Sequence, residues 1–166
     1  MHAIPTDTAG PAVITMLEGL LRGGPALCGL PPDSAEALYA LAHQLYQQAQ
    51  YAEAARLFAF LVMLNACDLR FHMGLGASKQ MLRRHQEALR HYAVASLLDT
   101  TDPTPLLRSA ECFLSLGQRA EARERLRLAL GQAEDAPRHA HAAPRVRALI
   151  ELLDNAPARP STEVHP

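Results

Sequence analysis

The sequence of 166 residues contains no tryptophan, a single lysine and only three cysteines. Cys28, Cys67 and Cys112 are odd in number and show no CxxC spacing, so we expect free thiols in a reducing compartment rather than a disulfide framework. The net charge is −1, the pI is near 6.7, and no segment is strongly basic. The sequence therefore predicts no nucleic-acid partner.

Long apolar runs are also missing. No segment approaches the roughly 20 apolar residues that a membrane-spanning helix requires. Residues 1–10 do not join a basic start to an apolar stretch, as a secretory signal would. We therefore expect a soluble, cytoplasmic protein that does not insert into membranes.

Patterns typical of catalysis or cofactor binding are absent as well. The sequence has no glycine-rich phosphate loop and no paired carboxylates. His139 and His141 lie in a connector rich in Pro, Ala and His, without a cysteine nearby, which argues against a metal site. Cys112 is placed inside a predicted helix beside apolar residues, where thiols are usually inert. The sequence thus predicts no enzyme, no cofactor and no metal.

What the sequence does contain is a repeat with a period of 34 residues. Alanine and leucine dominate and β-branched residues are few, which favours an all-α protein. Small residues recur in register: one set is Ala42, Gly76 and Ala110, and a second is Ala54, Ala88 and Ala122. This spacing is typical of tetratricopeptide (TPR) helix pairs, which stack into an α-solenoid with a concave, peptide-binding groove.

The repeat divides the chain into segments. We predict a disordered N-terminus over residues 1–10, an N-terminal helix and hinge over 11–34, three TPR repeats over 35–68, 69–102 and 103–136, a connector and C-terminal capping helix over 137–154, and a disordered tail over 155–166. The predicted helices of the repeats are 35–48 with 51–64, 69–82 with 85–98, and 103–116 with 119–132. Asp68 and Asp102 are suited to cap the second and third pairs.

Two further features of the repeats follow from their geometry. Ala54, Ala88 and Ala122 are predicted to lie where the helices of each pair cross, since a large side chain there would force them apart. The turn inside the third pair has Gly117, whereas the first two pairs have Ala49 and Arg83 at that position. A positive φ would suit glycine and strain the other two residues.

The segment before the repeats carries an amphipathic helix pattern. Its apolar residues are Val13, Ile14, Leu17, Leu20 and Leu21. Three roles are open for them: a homodimer contact, capping of the first repeat, or binding to a membrane surface. Arg22 is the only cation of this segment, so the basic face that surface binding needs is missing.

Several short stretches resemble one protein family. They are Leu38-Tyr39-Ala40-Leu41-Ala42, Tyr51-Ala52-Glu53-Ala54, Asp68-Leu69-Arg70-Phe71, Gly74-Leu75-Gly76-Ala77, Ala110-Glu111-Cys112, and Gly117 with Ala120-Glu121-Ala122. With residues 24–33 they resemble the class II chaperones of bacterial type III secretion, the SycD/LcrH/IpgC family. The similarity spans about residues 11–132 and needs no insertion. The sequence departs from the family at Arg83 and His85, where a glycine and an aromatic residue are usual.

The resemblance implies a small bacterial cytosolic chaperone, often a homodimer formed through N-terminal elements. Family members bind the hydrophobic translocator subunits that later form a pore in the host membrane. The cargo lies in the concave TPR face as an extended segment with spaced apolar anchors of PxLxxP type. Some members also assist a transcriptional activator when cargo is absent.

Residues of the groove can be predicted from helical spacing, because the first helix of each pair lines the concave side. The predicted cargo-binding residues are Tyr39, His43 and Tyr46 in the first repeat, Arg70, Met73, Ala77 and Gln80 in the second, and Thr104, Leu107, Glu111 and Leu114 in the third. They would form an apolar floor with a few hydrogen-bonding groups. Packing inside the repeats remains the alternative role for each, and Phe58 and Tyr92 are assigned to the core.

A different TPR function can be tested at equivalent positions. Cochaperones that hold the acidic C-terminus of heat-shock proteins use Lys, Asn, Asn, Lys and Arg as a carboxylate clamp. The equivalent residues are Tyr39, His43, Gly74, Thr104 and Arg108. Only Arg108 could contribute, and a bound carboxylate needs several charge-assisted donors. Three alternatives remain open: a chaperone of the needle subunit, a regulatory partner of a transcription factor, and a generic TPR scaffold.

Overall fold

The computed structural model describes residues 34–155. These residues form seven α-helices and one short 3-10 helix, without a β-strand. The α-helices are α1 (Ser34–Gln47), α2 (Tyr51–Leu64), α3 (Leu69–Met81), α4 (His85–Leu98), α5 (Thr104–Ser115), α6 (Arg119–Asp135) and α7 (Ala143–Asn155), and the 3-10 helix is Pro137–Ala142. The predicted all-α solenoid is confirmed. None of the helices between residues 34 and 155 is long and apolar enough to cross a membrane.

The chain divides into two compact units, residues 1–36 and residues 37–166. Of the first unit, the structure describes only residues 34–36, which begin α1. The predicted amphipathic helix and its dimer residues therefore lie outside the described part of the chain. In the second unit, neighbouring helices from α2 to α7 pack against each other in chain order, as expected of a solenoid.

The helices of the repeats begin and end within two residues of the predicted positions, except that α6 continues to Asp135. After α6, residues 137–142 form a 3-10 helix, and the last helix begins at Ala143. Pro137 is the first residue of the 3-10 helix, a position where its missing N–H is no loss.

Two aspartates begin the second and third helix pairs, as predicted. Asp68 Oδ1 accepts a hydrogen bond from the backbone N–H of Arg70 at 2.9 Å, and Asp102 Oδ1 accepts one from Thr104 at 2.9 Å. Each bond satisfies one of the N–H groups left unpaired at a helix start. The Arg70 side chain also donates to Asp68, which holds the pKa of that carboxyl below its usual range.

Small residues are fully buried in each helix pair. Ala54, Ala88 and Ala122, which we predicted at the helix crossings, are all 0% exposed. Two glycines of α3 allow an even closer approach. A Cβ at Gly74 would lie 2.3 Å from Phe58 Cε1, and a Cβ at Gly76 would lie 2.7 Å from Tyr92 Cε1. Phe58 and Tyr92 are thus packed directly against the backbone of α3.

The third repeat and α7 share a buried apolar cluster. Its buried members are Leu106, Leu107, Ala110, Ala122, Leu126, Ala129, Val146 and Leu153. Arg119 Nη2 donates to the Leu153 carbonyl at 2.9 Å, and Arg123 pairs with Asp154 at 2.7 Å. The predicted closing helix therefore covers the apolar side of α6 that a solenoid would otherwise leave in water.

The turns inside the three pairs share one backbone conformation. The residues with positive φ are Ala49 at 60°, Arg83 at 62° and Gly117 at 77°. Only glycine adopts this region without a steric penalty, which is about 1–2 kcal/mol for other L-residues. The first two turns are therefore strained, as the sequence indicated.

Replacing Arg83 by glycine should stabilise the protein by about 0.5–1 kcal/mol, because relief of the strained turn outweighs the greater freedom of glycine in the unfolded chain. Urea unfolding measures the change. The matched control is Gly117→Ala, which should destabilise by about 1 kcal/mol through the backbone alone, since no atom lies within 4 Å of a Cβ built there. A destabilised Arg83→Gly variant would contradict the strain argument.

His85, the first residue of α4, is buried without hydrogen bonds. It is 8% exposed, and neither ring nitrogen has a partner among residues 34–155. Burial, with a contribution from the positive charge of Arg83, lowers the pKa of His85. The folded protein therefore favours the neutral imidazole.

Stability should consequently decline as the pH falls below about 6.5, the pKa of histidine in an unfolded chain, because the unfolded state then binds more protons. His85→Phe removes both the unpaired nitrogens and this proton linkage. We expect the variant to gain about 1 kcal/mol near neutral pH and more at pH 5.5. Urea titrations between pH 5.5 and 7.5 test this, and an unchanged slope of stability against pH would contradict it.

Candidate functional site

One pocket of about 320 Å³ lies against the first helices of all three pairs. Its lining residues are Tyr39, His43 and Tyr46 of α1, Phe58 of α2, Leu69, Arg70, Met73, Gly74 and Ala77 of α3, Tyr92 of α4, and Thr104 and Arg108 of α5. Most of these side chains come from α1, α3 and α5, as the TPR geometry requires. The wall is mainly aromatic and aliphatic, with polar groups at a few points.

The structure brings together seven of the eleven groove residues predicted from the sequence. They are Tyr39, His43, Tyr46, Arg70, Met73, Ala77 and Thr104. Of the predicted residues on α1 and α3, all but Gln80 line this pocket. That these residues bind cargo stays a prediction.

Two predicted residues of α5 pack into the core and do not line the pocket. Leu107 is 8% exposed and belongs to the core cluster of the third repeat, and Leu114 packs against that cluster. From α5, the predicted Thr104 and the unpredicted Arg108, four residues apart, line the pocket. Residues three and four positions after Thr104 lie on either side of a line drawn through Thr104 along the helix axis. Of these two residues, the apolar Leu107 turns towards the core and Arg108 turns towards the pocket.

Gln80 and Glu111 form a polar network beside the pocket rather than part of its wall. The Tyr92 hydroxyl donates to Gln80 Oε1 at 2.7 Å, and Gln80 Nε2 donates to Glu111 Oε2 at 3.1 Å. Arg108 and Arg145 donate to Glu111 at 3.0 and 3.3 Å. The network joins α3, α4, α5 and α7, and it positions two residues of the wall, Tyr92 and Arg108.

Tyr39 is held in one orientation by its neighbours. Its ring centroid lies 6.0 Å from that of Phe58 and 5.9 Å from that of Phe71. The Arg70 guanidinium carbon lies 4.9 Å from the Tyr39 centroid, a cation–π contact. The aromatic wall is therefore preorganised, which lowers the entropy lost when a ligand binds.

Glycine at position 74 allows the Phe58 ring to lie directly against the backbone of α3. Because a Cβ there would overlap that ring, any other residue would displace Phe58 and change the shape of the pocket. Gly74, Phe58, Tyr92 and Arg108 were not among the predicted site residues. A signal for two of them was present, because Gly74 and Arg108 occupy the positions equivalent to the carboxylate clamp, and all five of those positions line the pocket.

The polar groups of the described wall are mostly donors. It includes two arginines and one histidine, with no carboxylate among them. Arg70 pairs with Asp68 at 2.8 Å and Arg108 with Glu111 at 3.0 Å, both just behind the wall. Burial raises the pKa of the Tyr46 phenol, so its hydroxyl stays protonated and can donate. Such a wall suits a ligand with apolar side chains and carbonyl oxygens.

Cys112 takes no part in this chemistry. The residue is 0% exposed, and burial, with the nearby Glu111 charge, raises the pKa of its thiol to about 11. The thiolate is the reactive form of cysteine. Cys112 thus lies buried inside a helix, as the sequence predicted.

Comparison with known proteins gives consistent results. Residues 35–68 match the family model described as a tetratricopeptide repeat. The chain is 33% identical over 140 residues to the Low calcium response locus protein H of Yersinia pseudotuberculosis. The matched region covers 82% of this chain and 83% of the relative.

Two solved chaperones are similar in both structure and sequence. The first is PcrH bound to the chaperone-binding region of PopD, with a TM-score of 0.72, 35% identity and coverage of 76% of this chain and 95% of that one. The second is the type III secretion chaperone SycD of Yersinia enterocolitica bound to a peptide of the translocator YopD, with a TM-score of 0.70, 32% identity and coverage of 75% and 95%. Another crystal structure of SycD shows an alternative dimer.

Proposed function

Since this chain belongs to the family of type III secretion translocator chaperones, we propose that it binds hydrophobic translocator subunits of a bacterial type III secretion system through the pocket on α1, α3 and α5. An extended segment of the translocator occupies the pocket. Binding keeps the subunit soluble and competent for secretion.

The observation that carries this proposal is the composition of the described pocket wall. Aromatic and aliphatic side chains provide most of it, and Gly74 lets the Phe58 ring pack directly against the backbone of α3. An apolar anchor of the ligand would be buried against this wall at about 25 cal/mol per Å² of apolar surface. An extended peptide also carries unpaired backbone carbonyl groups. Hydrogen bonds to these groups can be donated by Arg70, Arg108, Thr104 and Tyr46.

The mechanism is binding without chemistry. A pore-forming subunit carries apolar segments that associate when exposed, and occupation of one such segment by the chaperone prevents premature assembly. The protein acts in the bacterial cytoplasm without enzymatic activity, nucleotide or cofactor. Release then follows when the secretion machinery draws the extended segment away.

Self-association belongs to the same proposal. The SycD relative forms dimers, and we expect this chain to form a homodimer through the predicted N-terminal helix, whose residues lie outside the described part. A needle-subunit chaperone and a regulatory partner of a transcriptional activator remain the alternative functions.

Coexpression tests the proposal directly. The full chain is coexpressed separately with the two hydrophobic translocators, the needle subunit and the activator from its own secretion gene cluster. We expect a translocator to copurify in stoichiometric amounts and to become insoluble when the chaperone is omitted. Copurification of the needle subunit or the activator alone would replace the proposal by the corresponding alternative.

A further inference from the structure

Two histidines meet between α3 and α4, outside the pocket. The Nδ1 atoms of His72 and His91 are 3.4 Å apart, and the ring centroids are 5.6 Å apart. His72 is 5% exposed, whereas His91 is only partly buried. The two residues are 19 positions apart, so the helix pairing alone brings them together. Nothing in the proposed peptide-binding function uses either one.

A backbone carbonyl fixes the tautomer of His72. Its Nε2 lies 3.0 Å from the carbonyl oxygen of Ala66, which can only accept a hydrogen bond. The proton of a neutral His72 ring therefore resides on Nε2, and the lone pair of Nδ1 points towards His91. A histidine that binds a metal typically donates its second ring N–H to a carbonyl in this way, which orients the ring and makes the free nitrogen more basic.

We propose that His72 and His91 together bind a divalent transition-metal cation, with Zn²⁺ as the best fit, through the Nδ1 atom of each ring. Zinc binds imidazole nitrogens at about 2.0–2.1 Å in tetrahedral geometry, which places two such nitrogens about 3.3–3.4 Å apart. The observed separation of 3.4 Å matches this value, and both rings would turn so that the two Nδ1 lone pairs converge on the ion. On metal binding, the Nδ1 proton of His91 moves to its Nε2.

The surroundings of the pair set the expected affinity. Among residues 34–155 no third His, Cys, Asp or Glu joins the two rings, so water completes the coordination. The nearby charges of Lys79 and Glu87 neutralise each other in an ion pair of 3.1 Å. Two protein ligands indicate a modest, exchangeable site.

Metal binding would join three parts of the fold. The ion would bridge α3 and α4, and the Ala66 carbonyl already anchors His72 to the segment between α2 and α3. The second repeat, which supplies five residues of the pocket wall from α3 alone, would thereby be stabilised. Because neither histidine lines the pocket, the metal and a peptide could be bound together.

Zinc titration of the full chain by isothermal calorimetry at pH 7.5 tests the site. We expect one equivalent of Zn²⁺ with a Kd on the order of 10 µM, an increase in Tm with zinc, and a shift of the His72 and His91 ring nitrogens in NMR spectra. His91→Gln should weaken binding at least tenfold and abolish the Tm increase. Its partial exposure makes it the variant of choice, and circular dichroism checks that it is folded.

The double change His139→Gln with His141→Gln is the matched control, because these rings also lie near each other, 6.4 Å between centroids. The control variant should bind zinc as the parent does. Cys67→Ser, which removes an exposed thiol, should do the same. Equal affinity in His91→Gln, loss of binding in either control, or no binding at 1 mM Zn²⁺ would each overturn the proposal.

Discussion

Alanine in place of Gly74 should destabilise the protein by about 3 kcal/mol, the upper part of the range for overpacked cores. The added Cβ would lie 2.3, 2.4 and 2.6 Å from three carbons of the Phe58 ring. Phe58 is 2% exposed and contacts Tyr39, so the ring can move only towards the pocket that it lines. Either the ring leaves its rotamer or α2 and α3 separate. For a protein of this size the Tm should fall by roughly 6–12 °C.

A second glycine provides the control for this substitution. Gly131 lies inside α6, and no atom lies within 4 Å of a Cβ built there. Gly131→Ala should therefore stabilise the protein by up to about 1 kcal/mol through helix propensity alone. The double variant Gly74→Ala with Phe58→Leu should be less destabilised than the sum of the single changes, because the smaller side chain removes the clash. Additive effects would show that Phe58 is not the cause.

The largest effect on ligand binding is expected from Ala77→Glu. Ala77 is partly buried and lines the pocket on its α3 side. A glutamate there fills space needed by an apolar anchor and adds a charge that the ligand would have to desolvate. The affinity for the chaperone-binding segment of the cognate translocator should fall at least about 100-fold, which corresponds to roughly 2.7 kcal/mol. Fluorescence anisotropy with a labelled peptide measures this change.

The same substitution on the other helix of the repeat separates binding from folding. Ala93 is exposed on α4 and does not line the pocket. Ala93→Glu should leave the peptide affinity within about twofold of the parent, and both variants should keep the parent's circular dichroism spectrum. If Ala77→Glu bound the peptide normally, the pocket on α1, α3 and α5 would not be the binding site.

The helical framework was predictable because a small number of local requirements, on residue size and on helix capping, determine it. Ala54, Ala88 and Ala122 must be small for the helices to cross, and Asp68 must precede a helix start to cap it. These requirements recur every 34 residues, so each repeat supports the assignment of the next. The equivalence with Gly117 likewise marked Ala49 and Arg83 as positions where a positive φ would be strained, and the structure has a positive φ at both.

The details of the pocket depended on information that periodicity does not contain. The position of Leu107 follows from the apolar cluster with α7, a contact between distant parts of the chain. The Gln80 side chain does not line the pocket because it forms hydrogen bonds with the Tyr92 hydroxyl and with Glu111. The pairing of His72 with His91 depends on the register between two helices. Each of these features is a tertiary contact, and a helical face alone does not predict it.

The strained turns also create a gradient of local stability along the solenoid. The first two pairs have a non-glycine residue at positive φ, whereas the third pair has Gly117 and is covered by α7. In a solenoid each pair opens with a free energy set by its own strain and by its neighbours. Amide hydrogens of α1–α4 should therefore exchange with solvent faster than those of α5 and α6. The side of the pocket formed by α1–α4 then opens more easily than the side formed by α5. An extended chain can enter through the first side and pack against the second.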